Sequence, residues 1–216
     1  MSSDRHALPL SQWTQISTFP WGTCMLVLAT LLVGIVQHFD ATGQTANLLG
    51  FHFSARPGRI TDDGPLTAIM RSVTYVFPHG GWWHLIPNAA GLLVYGAIVE
   101  QRVGAWRLLE LYLASGAIGI LCRAFVLPLP TEPVAGASLA ICGLLGAQLA
   151  LTGAQRPESN TTRNARFLTG LAVVTAIFLW TACRAAPLAA DRETSVLYHL
   201  LPLAAMWLIV AGLARC

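Results

Sequence analysis

Long apolar runs separated by short polar stretches set the pattern of this chain. Crossing the roughly 30 Å hydrocarbon core of a bilayer takes about 20 predominantly apolar helical residues, because backbone groups there must be satisfied within the segment. Six runs fit that requirement: Trp21–Phe39, Trp82–Val99, Trp106–Phe125, Val134–Thr152, Arg166–Cys183 and Ser195–Leu213. They predict an all-α membrane protein in which residues 21–213 form one bundle of six transmembrane helices, preceded by a cytoplasmic N-terminal segment, residues 1–20. That segment is too mixed for a signal peptide, whose apolar core would have to be the first span itself. No internal repeat is detectable and no further domain is expected.

The longest connection, residues 40–70, carries Phe51, Phe53, Ile60, Leu66 and Ile69 among Gly, Pro and charged residues. Apolar side chains at that density favour a folded loop with short helices, lying at the membrane interface, over a flexible tether.

Composition agrees: 55% of residues are hydrophobic and 11% charged, against roughly a quarter charged in soluble domains. The 13 basic residues are all Arg and exceed the 10 acids by three, a scattered excess too small for a nucleic-acid surface. Cys24, Cys122, Cys142, Cys183 and Cys216 lie singly, without the spacing of a zinc site or a disulfide framework. Arg156, Arg163 and Arg166 cluster in one short loop, while Asp40, Asp62, Asp63, Glu132, Asp191 and Glu193 fall on the other side of the predicted spans. That asymmetry predicts that both termini are cytoplasmic.

Polar groups within spans are costly and point to function. In the second span His84 and Asn88 are four apart and share a helical face, with His79 at the helix entrance. The fourth span opens with Gly136, Ala137 and Ser138, and the sixth carries His199. Taken alone, a Ser at a helix start is an N-cap or a packing residue, and His199 an interfacial one. Together, near the non-cytoplasmic ends of their helices, Ser138 and His199 can serve as nucleophile and base, and His84 and Asn88 can donate to a developing oxyanion. Metal binding is not expected, because His79 and His84 lack the one-face spacing and the intervening Glu of a zincin helix; no cofactor is expected either.

The stretch from Arg71 to Gly104 resembles the rhomboid family of intramembrane serine proteases. That family has an Arg eight residues before a His, a His-x4-His-x3-Asn signature and a Gly-x3-Glu-x3-Gly turn; those places are Arg71, His79, His84, Asn88, Gly96, Glu100 and Gly104. Downstream, GASLAICGLLGA is similar to the family's Gly-x-Ser-Gly segment, with Gly136 at its head and the nucleophile at Ser138, and His199 follows 61 residues later. The resemblance implies a six-helix rhomboid-like fold and a Ser138–His199 dyad. It also implies an oxyanion site made by His84, Asn88 and the Ser138 N–H, with Arg71 anchoring the long loop and Glu100 pairing or capping at the cytoplasmic turn. The implied partners are membrane lipid and transmembrane protein substrates, with no nucleic acid and no metal. Resemblance to the short bacterial forms, rhombosortases among them, implies a multi-pass protein of a bacterial inner membrane.

The chain departs from the family's pattern around the dyad. Leu139 stands where the family has Gly, Cys142 where an aromatic commonly stacks on the catalytic His, and Met70 where a Trp commonly precedes the loop Arg. Pro202 and Met206 stand where small residues follow the His. Small residues let helices approach closely, so Leu139 and Pro202 bear on the Ser–His distance, while Gly136, Ala140, Gly143, Ala147 and Ala150 keep one face of the fourth helix narrow. The alternative is a catalytically inactive rhomboid-like protein that binds or escorts transmembrane helices. A transporter is disfavoured: there is no repeat and no pair of intramembrane carboxylates, only Glu110 in the third span.

Overall fold

The computed structural model describes residues 19–39, 43–56, 64–126, 133–153 and 192–213; the predicted fifth span, Arg166–Cys183, lies outside them, as does most of the N-terminal segment. The described residues form α1 (Trp21–Phe39), α2 (Gln44–Phe53), α3 (Pro65–Thr74), α4 (Trp82–Val103), α5 (Ala105–Val126), α6 (Ser138–Gly153) and α7 (Arg192–Leu213). Among them there is no β-strand, only an isolated bridge between Ala55 and Val134. Where six spans are expected, the described residues hold three helical segments long and apolar enough to cross a membrane: α1, α4 and Ala105–Ala124 of α5. They also hold two shorter apolar segments, Ser138–Leu151 and Leu200–Gly212.

Helix α1 is polar inside and apolar outside. Trp21, Met25, Leu28, Leu32, Ile35 and Phe39 recur every three or four residues and are exposed, whereas Thr23, Thr30, Gly34 and Gln37 are buried. Such a face is stable where lipid rather than water covers it. Exposed aromatic residues bracket the apolar band: Trp21 and Trp106 at one end, Phe39, Trp82 and Trp83 at the other, as at the two interfaces of a bilayer.

Helix α6 is the opposite case. From Gly136 to Leu151 every residue except Leu149 is buried, and α6 packs most extensively against α7, then α5, then α4. A helix apolar on all sides belongs in the middle of the protein.

The pairing of α1 with α4 explains the Gly96–Glu100–Gly104 spacing. A Cβ on Gly96 would lie 2.9 Å from Thr23 Cγ2, and at the far end Gly34 gives way to the Leu85 side chain. Buried Glu100 accepts from Gly22 N–H (2.8 Å), Thr23 N–H (2.7 Å) and the Thr23 hydroxyl (2.7 Å). Its carboxylate therefore caps the N-terminus of α1, where unpaired N–H groups and the positive dipole end favour an anion. Gly104, at φ +84°, then ends α4 and turns the chain directly into α5; this explains why α4 runs to Val103, past the Val99 predicted from hydrophobicity.

The long connection folds as α2 and α3, with Leu48, Phe51, Phe53, Leu66, Ile69 and Met70 exposed. Buried Arg71 ties the two helices together, donating from Nη2 to the Phe51 carbonyl at 3.2 Å. Ala55 and Val134 exchange two backbone hydrogen bonds, of 2.9 and 2.8 Å, which fasten this loop to the segment leading into α6. Helix α6 consequently starts at Ser138 rather than at the predicted Val134. Val134 pairs with Ala55 in an isolated bridge and Gly136 adopts φ +119°, which no helix continues.

Candidate active site

Two of the residues singled out from sequence, His79 and His84, lie against the segment that leads into α6. His84 lies in the first turn of α4, and Asn88 one turn further is buried, its Nδ2 donating to the His84 carbonyl at 2.7 Å. The Asn88 Oδ1 is buried and has no partner among the described residues. A Cβ on Gly136 would fall 2.5 Å from Cε1 and 2.8 Å from Nε2 of His84. Glycine thus admits the imidazole against the backbone two residues before Ser138, and its positive φ excludes other residues as well.

Ser138 is buried at the head of α6. Helical hydrogen bonding begins with Ile141 N–H donating to the Ala137 carbonyl at 2.9 Å. The first N–H groups of a helix have no partner inside it, and together with the dipole they favour negative charge at this point. The His84 ring thus lies against the backbone two residues before Ser138, with Asn88 one turn further along α4.

His79 holds the backbone beside them. Its Nδ1 lies 2.9 Å from the Phe77 carbonyl; since a carbonyl only accepts, the proton is assigned to Nδ1. Nε2 is then an acceptor, and Ala137 N–H donates to it at 3.4 Å. Burial, reinforced by His84 with its ring centroid 5.1 Å away, lowers the His79 pKa from 6.5 to about 3. The ring is thus neutral, as an acceptor must be. Gly136 N–H donates to the Tyr75 carbonyl at 2.9 Å.

The departures in α6 and α7 meet glycines. Leu139 is buried, and a Cβ on Gly119 of α5 would lie 2.9 Å from the Leu139 Cβ, so a notch in α5 receives the larger side chain. Gly143 makes room first for Ser115 of α5 and then for Met206, whose Cγ would be 3.1 Å from a Cβ there, and Gly146 lies against the backbone of Leu203 and Trp207. Pro202 and Cys142 are both buried. His199 is on α7, four residues before Leu203, but the side chains described on this helix begin at Leu200; the Ser138–His199 distance lies outside the described residues. Among the described residues no three His, Cys, Asp or Glu are grouped to hold a metal ion. The sequence pattern does not single out Gln37, Gly119 or Gly146, although a carboxamide in the apolar last turn of α1 was the available signal for the first.

A family model, the Rhomboid domain, matches residues 67–215, more than half of the chain. The chain belongs to the rhomboid family. Individual rhomboid relatives match over shorter stretches. RHOMBOID-like protein 5 of Arabidopsis thaliana is 37% identical over 79 residues, which is 37% of this chain and 26% of that protein. Rhomboid protease GluP of Bacillus subtilis is 40% identical over 79 residues, 37% of this chain and 15% of that protein. RHOMBOID-like protein 6, mitochondrial, of Arabidopsis thaliana is 35% identical over 79 residues, 37% of this chain and 25% of that protein. The aligned stretches thus span well under two thirds of these rhomboid relatives.

Proposed function

We propose that this rhomboid-family chain is an intramembrane serine protease. Ser138 attacks a peptide carbonyl of a locally unwound transmembrane substrate, His199 takes the serine proton and delivers it to the leaving amine, and water hydrolyses the acyl-enzyme. His84, Asn88 and the Ser138 N–H hold the oxyanion. Cleavage takes place near the outer face of a bacterial inner membrane, with both termini cytoplasmic. The observation that carries this reading is the convergence of buried Ser138, at the head of α6, with the His84 imidazole lodged against Gly136. GluP, a relative named as a protease, supports it.

Purified protein in detergent, treated with a fluorophosphonate probe and with a model transmembrane substrate, tests the proposal. Ser138→Ala and His199→Ala should each abolish labelling and cleavage, and His84→Ala or Asn88→Ala should slow cleavage by roughly 10²- to 10³-fold. Cleavage that survives Ser138→Ala refutes the mechanism. Leu139 and Pro202 favour the second reading, a non-catalytic rhomboid-like binder of transmembrane helices, which requires folded protein with no labelling.

A further inference from the structure

Gln37 is a buried polar side chain on a helix whose outer face is apolar. Burying a carboxamide is costly unless its polar atoms are paired. The Gln37 Oε1 accepts the backbone N–H of His79 at 3.0 Å, between residues 42 positions apart. From His79 the connections continue toward Ser138. The His79 Nδ1–H donates to the Phe77 carbonyl at 2.9 Å, and Nε2 accepts the Ala137 N–H at 3.4 Å. The extended segment before α6 thus hangs on backbone 75–79, and that backbone is held by Gln37. An apolar side chain of the same size would fill the space but leave the N–H of fully buried His79 unpaired.

We propose that Gln37 is a positioning residue for Ser138: by holding the His79 backbone it sets the imidazole that accepts the Ala137 N–H, and so fixes the 136–137 peptide, the unit directly before the 137–138 peptide that presents the Ser138 N–H to the oxyanion. This rests on the protease reading above. A side chain that merely fills the α1–α4 contact would alter stability without altering the rate of the chemical step.

The test uses the full chain in detergent and compares wild type, Gln37→Leu, Gln37→Glu, His79→Phe and the Gln37→Leu/His79→Phe double variant. Fluorophosphonate labelling rate, and kcat and KM for a model transmembrane substrate, are the readouts; Gln37→Met substitutes if the Leu variant does not fold. Losing one buried hydrogen bond to a positioning group should lower kcat and labelling on the order of tenfold, with KM unchanged. Gln37→Glu should restore the rate, because a carboxyl oxygen accepts the same N–H, and the double variant should be no slower than His79→Phe. A wild-type rate in Gln37→Leu, an equal loss in Leu and Glu variants, or additive losses in the double variant would overturn the proposal. Amide hydrogen exchange distinguishes failure of the positioning role from failure of the protease reading. If wild type shows no Ser138-dependent labelling, the protease reading fails. Faster exchange of the His79 and Ala137 amides in Gln37→Leu would still establish the tie, and unchanged exchange would eliminate it.

Discussion

Gly146→Ala probes the contact on which the proposed dyad depends. A Cβ at this position would lie 3.0 Å from the Leu203 carbonyl carbon and 3.1 Å from the Trp207 nitrogen, and nearer still to the Leu203 oxygen. Ordinary van der Waals contact begins at 3.4 Å, and these partners are backbone atoms of α7 that cannot rotate aside. Helices α6 and α7 must therefore part locally by about one ångström or slightly more, because close-packed interiors have no slack to absorb the methyl. Gly146 lies eight residues after Ser138 on α6, and Leu203 four residues after His199 on α7, so the separation is transmitted to both members of the dyad. A misplacement of about 1 Å between reacting groups costs on the order of 10²-fold in rate; Ser138-dependent labelling should fall about 10- to 100-fold. Overpacking itself costs about 1–3 kcal/mol, partly offset by up to about 1 kcal/mol from replacing a helical Gly with Ala, so the variant should remain folded. Second-order labelling rates and thermal melting in the same detergent measure both effects. Gly212→Ala, also on α7 but with nothing within 4 Å of its Cβ position, is the control and should keep the wild-type rate. A wild-type rate in Gly146→Ala, or an equal loss in Gly212→Ala, would refute the argument that α6–α7 spacing sets the reaction geometry.

Two further predictions concern the surroundings of Ser138. Leu139→Ala should open a cavity costing about 2–5 kcal/mol and Gly119→Ala should overpack the same contact by about 1–3 kcal/mol; the double variant should cost less than their sum in thermal melts, and strict additivity would deny the pairing. The His79 pKa is lowered from 6.5 to about 3 in the fold, so its contribution to stability is complete above about pH 6.5 and lost progressively as pH falls toward 3. Melting in detergent should show about 2 kcal/mol lost between pH 7 and pH 5 through this group, and His79→Gln should flatten that difference. Parallel pH curves for the two proteins would disprove the assignment.

Much of this architecture was legible in the linear pattern. The limits of α1 and α5 follow from runs of apolar residues, because a helix in lipid must satisfy its own backbone and expose apolar side chains. The Gly96–Glu100–Gly104 spacing and the His84–Asn88 pair are also local, since helical periodicity puts residues three and four apart on one face. The start of α6 was not local: Val134 to Ala137 are as apolar as the helix itself, and the bridge to Ala55 and the positive φ of Gly136 keep them out of it. Nor could the sequence say that Leu139 would find its space at Gly119, or that Gln37 would reach His79. Hydrophobicity and spacing determine which segments become helices and which polar groups must be satisfied. Which distant residue satisfies each of them depends on how the helices pack, and that was decided only in the tertiary structure.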